Sequence, residues 1–172
     1  MICLKSQKEI EIMNRANQIV LKVLDALEES LKPGLKTKDL DLISEKITIN
    51  EGGKPAFKNY HGYPASLCVS INDEVVHGIP SEKVLKEGDI VSLDFGVLYE
   101  GYYGDAARTC PVGKISKEDE KLINVTKESL LRAISKAKDG AKVSDISIAV
   151  EDYVVKNGFS VVKDYVGHGI GR

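Results

Sequence analysis

The chain predicts an α/β (α+β) fold made of two related halves, the second incomplete, and three observations carry that reading. Residues 90–110 form two β-rich runs on either side of Glu100-Gly101. Capped, amphipathic helix pairs occur both before and after that stretch. The two helix pairs keep step at a fixed offset of 106 residues.

The hairpin comes first because the rest is organised around it. Ile90-Val91-Ser92-Leu93-Asp94-Phe95-Gly96-Val97-Leu98-Tyr99 and Tyr102-Tyr103-Gly104-Asp105-Ala106-Ala107-Arg108-Thr109-Cys110 are rich in β-branched and aromatic residues and are interrupted only by a turn pair. That pattern predicts two antiparallel strands and a two-residue loop. Paired positions then sum to an odd number, which sets Asp94 and Asp105 on one face, opposite or one step diagonal, roughly 5–8 Å apart. Carboxylates held so close repel unless a cation or a shared proton lies between them. The ordinary reading is two turn-proximal aspartates facing solvent. The sharper one is a pair of oxygen donors for hard divalent ions, with one carboxylate able to bridge two of them. Gly96 and Gly104 are expected to leave room beside each aspartate.

Ser6-Gln7-Lys8-Glu9 is a capping-box signature, and Ile10, Met13, Val20, Leu24, Leu27 and Leu31 recur at helical spacing up to the break at Pro33-Gly34. Thr37-Lys38-Asp39 is expected to cap a second helix through about Ile49, ending at Gly52-Gly53. From Ser116-Lys117-Glu118-Asp119 the plan repeats, with a helix to about Lys138, a turn at Asp139-Gly140 and a helix to Asn157-Gly158. The offset carries Lys32, Gly34, Lys36, Asp39, Glu45 and Gly52 onto Lys138, Gly140, Lys142, Asp145, Glu151 and Gly158. This suggests duplication of a helix-helix-strand unit, with a first repeat about 6–110 and a second about 116–172 inside one domain spanning 1–172. Two ordinary amphipathic hairpins would look similar by chance. On the repeat reading, the second copy stops before the counterpart of the aspartate hairpin.

At 172 residues with 42% hydrophobic content the chain can bury a core. Formal net charge is −2, with basic and acidic residues intermixed, so neither a nucleic-acid patch nor a polybasic membrane anchor is indicated. The start Met1-Ile2-Cys3-Leu4-Lys5 lacks a signal-peptide core, and no run is long enough to span a bilayer. A cytoplasmic location is therefore expected. Cys3, Cys68 and Cys110 are odd in number and widely spaced, so reduced thiols are the default.

Downstream of the hairpin, Gly167-His168-Gly169-Ile170-Gly171 frames a histidine with glycines after the apolar Phe159-Ser160-Val161-Val162. Upstream stand Asn59-Tyr60-His61-Gly62-Tyr63-Pro64 and Asn72-Asp73-Glu74-Val75-Val76-His77-Gly78-Ile79-Pro80. Together with Asp94 and Asp105, in this order and over nearly the whole chain, these motifs closely resemble type I methionine aminopeptidases, metallopeptidases that remove the initiator methionine from new proteins.

The resemblance implies a pita-bread fold with pseudo-twofold halves and a dinuclear site between them. It implies two divalent metal ions (Co, Mn, Fe or Zn) as cofactors. Asp94 would chelate one metal, Asp105 would bridge both and His168 would bind the other. Two glutamate ligands, one of them the general base, and a second histidine would lie beyond Arg172, so this chain alone is expected to be weak or inactive. His77 matches the histidine that hydrogen-bonds the scissile amide, and Tyr60, Tyr63 and Cys68 match walls of the methionine pocket. Each also has an ordinary reading: His77 a strand-end histidine, the tyrosines loop packing residues, Cys68 a small buried residue on a strand Leu67–Ile71. His61 is assigned no role.

Expected partners are the N-terminal peptides of nascent proteins and the ribosome that presents them, with no membrane and no direct nucleic-acid contact. An uncovered strand edge and apolar face would favour self-association. The alternative from a different class is a non-catalytic peptide- or protein-binding module of the same fold. A proline-specific peptidase is less favoured, because no extra N-terminal domain precedes residue 1 and the motif around His77 looks like type I.

Overall fold

The computed structural model describes residues 3–172. They divide into two compact units. The first runs through Ile115 and takes in Gly169–Arg172, and the second is Ser116–His168.

In the first unit, helix α1 (Gln7–Ser30) starts at the expected capping box: the Ser6 hydroxyl accepts from the Glu9 N–H, and the Glu9 carboxylate accepts from the Ser6 N–H at 2.7 Å. Helix α2 (Thr37–Asn50) differs from expectation at its start. Its N-cap is Lys36, with no side-chain cap, and Thr37 is already helical. The Thr37 hydroxyl is engaged elsewhere: it accepts from the Ser81 N–H (2.8 Å) and donates to the Ser81 carbonyl (3.1 Å). A long-range partner has taken the hydroxyl that local spacing assigned to the cap.

The sheet comprises β1 (Lys54–Pro55), β2 (Leu67–Ile71), β3 (Ile90–Tyr99) and β4 (Tyr102–Pro111). β3 is central: β4 pairs along one side, and β2 and the short β1 pair along the other, all antiparallel. Tyr99 pairs with Tyr102, so Glu100-Gly101 is a two-residue loop. Both loop residues have positive φ, +47° and +81°, the geometry of the tight hairpin turn that follows strand twist.

That register sorts the side chains into two faces. Leu67, Val69, Ile71, Val91, Leu93, Phe95, Val97 and Cys110 lie on one, buried against Ala16, Ile19, Val20, Val23, Leu24 and Leu27 of α1 and Leu40 of α2. Each fully buried large side chain here contributes about 1.5–3 kcal/mol of transfer free energy. Cys68, Ser70, Ser92, Asp94, Gly96, Asp105, Ala107 and Thr109 share the other face. The core lies beneath one side of the sheet, and the polar chemistry lies on the other.

In the second unit, helix α3 (Lys117–Lys136) is capped by the Ser116 hydroxyl, which accepts from the Asp119 N–H at 3.1 Å. Helix α4 (Val143–Lys156) follows, and Asp145 accepts the Lys142 N–H at 2.8 Å. The 106-residue offset read from the sequence carries Thr37–Asn50 onto Val143–Lys156 and the end of α1 at Ser30 onto the end of α3 at Lys136. The correspondence ends there. Among the described residues of the second unit there is no strand, and the apolar Phe159–Val162 is irregular. A strand needs a ladder partner, and a single extended segment without one has nowhere to place its backbone hydrogen bonds. Burial differs accordingly: Leu24 of α1 is 1% exposed, whereas Leu130 at the equivalent position of α3 is 56% exposed.

No helix of the described residues is long and apolar enough to cross a membrane.

Candidate active site

Asp94 and Asp105 sit on the polar face of the sheet, one step diagonal. Asp94 pairs with Ala107, and Asp105 pairs with Gly96. The spacing for such a diagonal is about 7–8 Å. Each carboxylate thus faces an alanine or a glycine across the hairpin, which keeps the space between them clear of side-chain bulk. Both are partly buried. A pair of hard oxygen donors on one rigid strand face suits a divalent cation, so the donor chemistry fits the metal that the sequence implied.

The two flanking glycines do different work from each other. A Cβ at Gly96 would lie on the aspartate face, 2.7 Å from Cε1 of Phe57 and 3.2 Å from Cβ of Ala56. Space beside the pair is therefore bounded by Phe57, a residue that no local pattern singles out. Gly104 belongs to the opposite face. A Cβ there would meet the Ala16 backbone at 2.8 Å, so this glycine admits α1 rather than a ligand.

Cys68 is paired with Asp94 across β2 and β3 and is buried. Burial pushes its thiol up to about 11; the Tyr63 hydroxyl pulls the other way, and the charges of Asp94 and Asp105 add to the rise. At the head of β2, Asp41 of α2 accepts from the backbone N–H groups of Ser66 (2.8 Å) and Leu67 (3.0 Å). Burial raises its pKa, with those two donors opposing. Asp41 lies four residues before Glu45 on an ordinary amphipathic helix, and nothing in its local spacing marks it.

Tyr63 is half-buried, and its hydroxyl lies 3.0 Å from both the Leu67 and the Gly78 carbonyls. Burial raises its pKa, so it stays protonated and can donate. Tyr60 is 66% exposed and packs edge-on to His61, 4.4 Å between ring centres. His77 occupies the loop between β2 and β3, is exposed and has φ +60°. It therefore belongs to a bent loop rather than to a strand end.

His168 is the last residue of the second unit and is exposed. Within neither unit do three or more His, Cys, Asp or Glu side chains gather as a metal ion would require, among the described residues. A groove of about 640 Å³ between α3 and α4 is lined by Val125, Leu131 and Tyr153 and contains none of the candidate residues. The four residues after His168 belong to the first unit. There the Tyr103 N–H donates to the Gly171 carbonyl at 2.8 Å, on the edge of β4 that β3 does not use. Arg172 donates to the Tyr102 hydroxyl (2.7 Å) and to Glu9 (3.2 Å), with its guanidinium 4.9 Å over the Tyr102 ring.

Comparison with known proteins shows the family. Residues 11–172 match metallopeptidase family M24. The chain is 49% identical over 172 residues to a methionine aminopeptidase of Clostridium perfringens, covering 100% of this chain and 69% of that protein. It is 52% identical over 176 residues to a methionine aminopeptidase of Aquifex aeolicus, covering 98% of this chain and 68% of that one. The crystal structure of methionine aminopeptidase from Thermotoga maritima superposes with a TM-score of 0.97 at 44% identity, over 99% of this chain and 69% of that chain. The family match over residues 11–172 and this degree of similarity over nearly all of this chain agree with the two-carboxylate hairpin on a four-stranded sheet: the chain belongs to metallopeptidase family M24, among its methionine aminopeptidases.

Proposed function

We propose that the chain carries the metal-binding hairpin and the substrate-side residues of an enzyme that removes the N-terminal initiator methionine from nascent proteins in the cytoplasm. The observation that supports this best is the diagonal Asp94/Asp105 pair, each facing a glycine or alanine on a sheet whose other face is the core. Asp94 and Asp105 would hold a pair of divalent ions, of which Mn, Co, Fe and Zn all suit oxygen and imidazole donors, and His168 would add the imidazole. When bound, such ions supply Lewis acidity toward the peptide's terminal amine and carbonyl. His77 would donate a hydrogen bond to the scissile amide and steady its nitrogen as it leaves. Tyr60, Tyr63 and Cys68 would bound the methionine side chain. The burial that keeps the Cys68 thiol protonated makes it an apolar wall rather than a nucleophile.

The expected substrates are extended N-terminal peptides as they leave the ribosome. The edge of β4 beyond the Tyr103–Gly171 bond and the exposed Leu130, Leu131 and Ile134 of α3 favour self-association of this polypeptide at high concentration.

The experiment is calorimetry with Mn and Co on the 172-residue chain, beside Asp105→Ala and His77→Ala, with cleavage of Met-Ala-Ser followed in parallel. Metal binding lost in Asp105→Ala, with any turnover lost in both variants, is the expected result. Peptide binding that needs no metal and gives no turnover would overturn it in favour of a binding module of the same fold.

A further inference from the structure

His77 has the left-handed backbone, φ +60°, that a residue with a side chain seldom adopts, and its surroundings must hold that conformation in place. The surroundings act through its neighbour. The Gly78 carbonyl accepts from the Val69 N–H at 2.9 Å, and the Gly78 N–H donates to the Ser70 hydroxyl at 3.1 Å. The chain after His77 is thereby pinned along the outer edge of β2. The approach is so close that a Cβ on Gly78 would lie 2.1 Å from the Val69 carbonyl oxygen. Only glycine can sit there.

The third contact to Gly78 comes from outside both strand and loop. The Tyr63 hydroxyl shares its proton between the Gly78 and Leu67 carbonyls, each at 3.0 Å, and so spans the start of β2 and the docked loop. Tyr63 is itself fixed by a local turn: its N–H donates to the Tyr60 carbonyl (2.9 Å), and its carbonyl accepts from Asn59 (2.8 Å). An exposed tyrosine could form pocket walls without any of this. A half-buried hydroxyl aimed at two backbone carbonyls does something a phenylalanine cannot.

We propose that Tyr63 is a positioning residue, whose hydroxyl clamps Gly78 against β2 and thereby holds the left-handed backbone from which the His77 imidazole is presented. The inference rests on the reading of His77 as the residue that meets the scissile amide. It adds that the tyrosine expected to touch the substrate side chain also sets the histidine expected to touch the bond, so that one residue couples recognition to chemistry.

The test is Tyr63→Phe, which keeps the ring and removes the hydroxyl, read on the 172-residue chain without metal or substrate. Amide hydrogen exchange at Val69 and Gly78 is expected to accelerate about fivefold, the loss of roughly one net hydrogen bond. The backbone Cα and carbonyl resonances of His77, which report its dihedral angles, are expected to move, while exchange in β3 stays unchanged. Ser70→Ala, which removes the acceptor for the Gly78 N–H, is expected to perturb the same amides. Unchanged Gly78 exchange and unmoved His77 resonances in Tyr63→Phe would overturn the proposal, as would a loss of protection spread evenly into β3. Failure of the functional reading is distinguishable, since it shows as peptide binding that needs no metal and gives no turnover, whatever the exchange pattern.

Discussion

Gly96 stands directly across the hairpin from Asp105, at the position where a side chain would compete with Phe57 for the aspartate face. A Cβ at residue 96 would come within 2.7 Å of the Phe57 ring edge. Gly96→Val should displace that ring and crowd the carboxylate pair, costing about 1–3 kcal/mol as an overpacked site. Gly96→Ala should cost less, because the ring edge can give. Urea unfolding of both variants checks the order; a valine variant as stable as the parent would show that Phe57 does not bound the site.

Gly104 makes the stricter demand. Its Cβ would meet the backbone of Ala16 and Asn17 at 2.8–3.0 Å, and a helix backbone cannot swing aside as a ring edge can. Gly104→Ala should therefore destabilise more than Gly96→Ala, by about 2 kcal/mol or more, through separation of α1 from the sheet. The same urea series, extended to Gly104→Ala, reads this, and equal losses at the two glycines would contradict it.

These two glycines show where sequence reasoning reached and where it stopped. Hairpin parity placed Asp94 and Asp105 on one face, because strand alternation and a two-residue loop leave no freedom in the register. The same parity would have put Gly104 on the opposite face from Asp105, and its role there depends on α1 crossing at that point, a tertiary fact that no local pattern encodes. The capping box at Ser6 was legible for the same reason as the hairpin: its partners are three residues apart. The Thr37 hydroxyl was not, since its partner is Ser81. Phe57, Asp41 and the clasp from Tyr63 to Gly78 escaped in the same way, each acting across a separation that periodicity does not span. The motif around His77 was legible in the sequence, but its left-handed backbone was not.

Acid should loosen the junction at the start of α1. Glu9 is held down from an ordinary 4.5 to about 2, first by the Tyr102 hydroxyl, then by the Ser6 N–H and hydroxyl, with Arg172 adding a smaller pull. A carboxylate whose pKa is lowered on folding contributes stability above its unfolded value, and that contribution is lost as pH falls from about 4.5 through about 2. Glu9→Gln should therefore melt earlier than the parent at neutral pH, with the gap closing across that window. Thermal midpoints from pH 7 down to pH 2 test it, and a gap that stays constant would remove Glu9 ionisation as the cause.

The three thiols should separate kinetically. Cys3 is exposed, while Cys68 and Cys110 are buried and their thiols are pushed up to about 11 by burial. Since the thiolate is the reactive species, a disulfide reagent at pH 7.5 should modify one cysteine quickly and the other two only on unfolding. Two fast equivalents in the native chain would mean that Cys68 or Cys110 opens to solvent more readily than its packing allows.

A buried hydroxyl gives the prediction with the least intuitive sign. Ser66 is fully buried at the head of β2, and its side-chain oxygen has no hydrogen-bond partner among the described residues, although its backbone N–H donates to Asp41. An unsatisfied buried hydroxyl costs the desolvation of a polar group with nothing in return, about 1–3 kcal/mol. Ser66→Ala deletes the orphaned oxygen and keeps the backbone bond, so it should raise stability by about 1 kcal/mol. Ser44→Ala, equally buried, removes a hydroxyl that donates to the Asp41 carbonyl at 2.7 Å and should lower stability by a similar amount. Chemical denaturation of the pair compares the same substitution in two environments. If both variants are destabilised alike, Ser66 has a partner in solution, and the head of β2 is held by one more polar contact than Asp41 supplies.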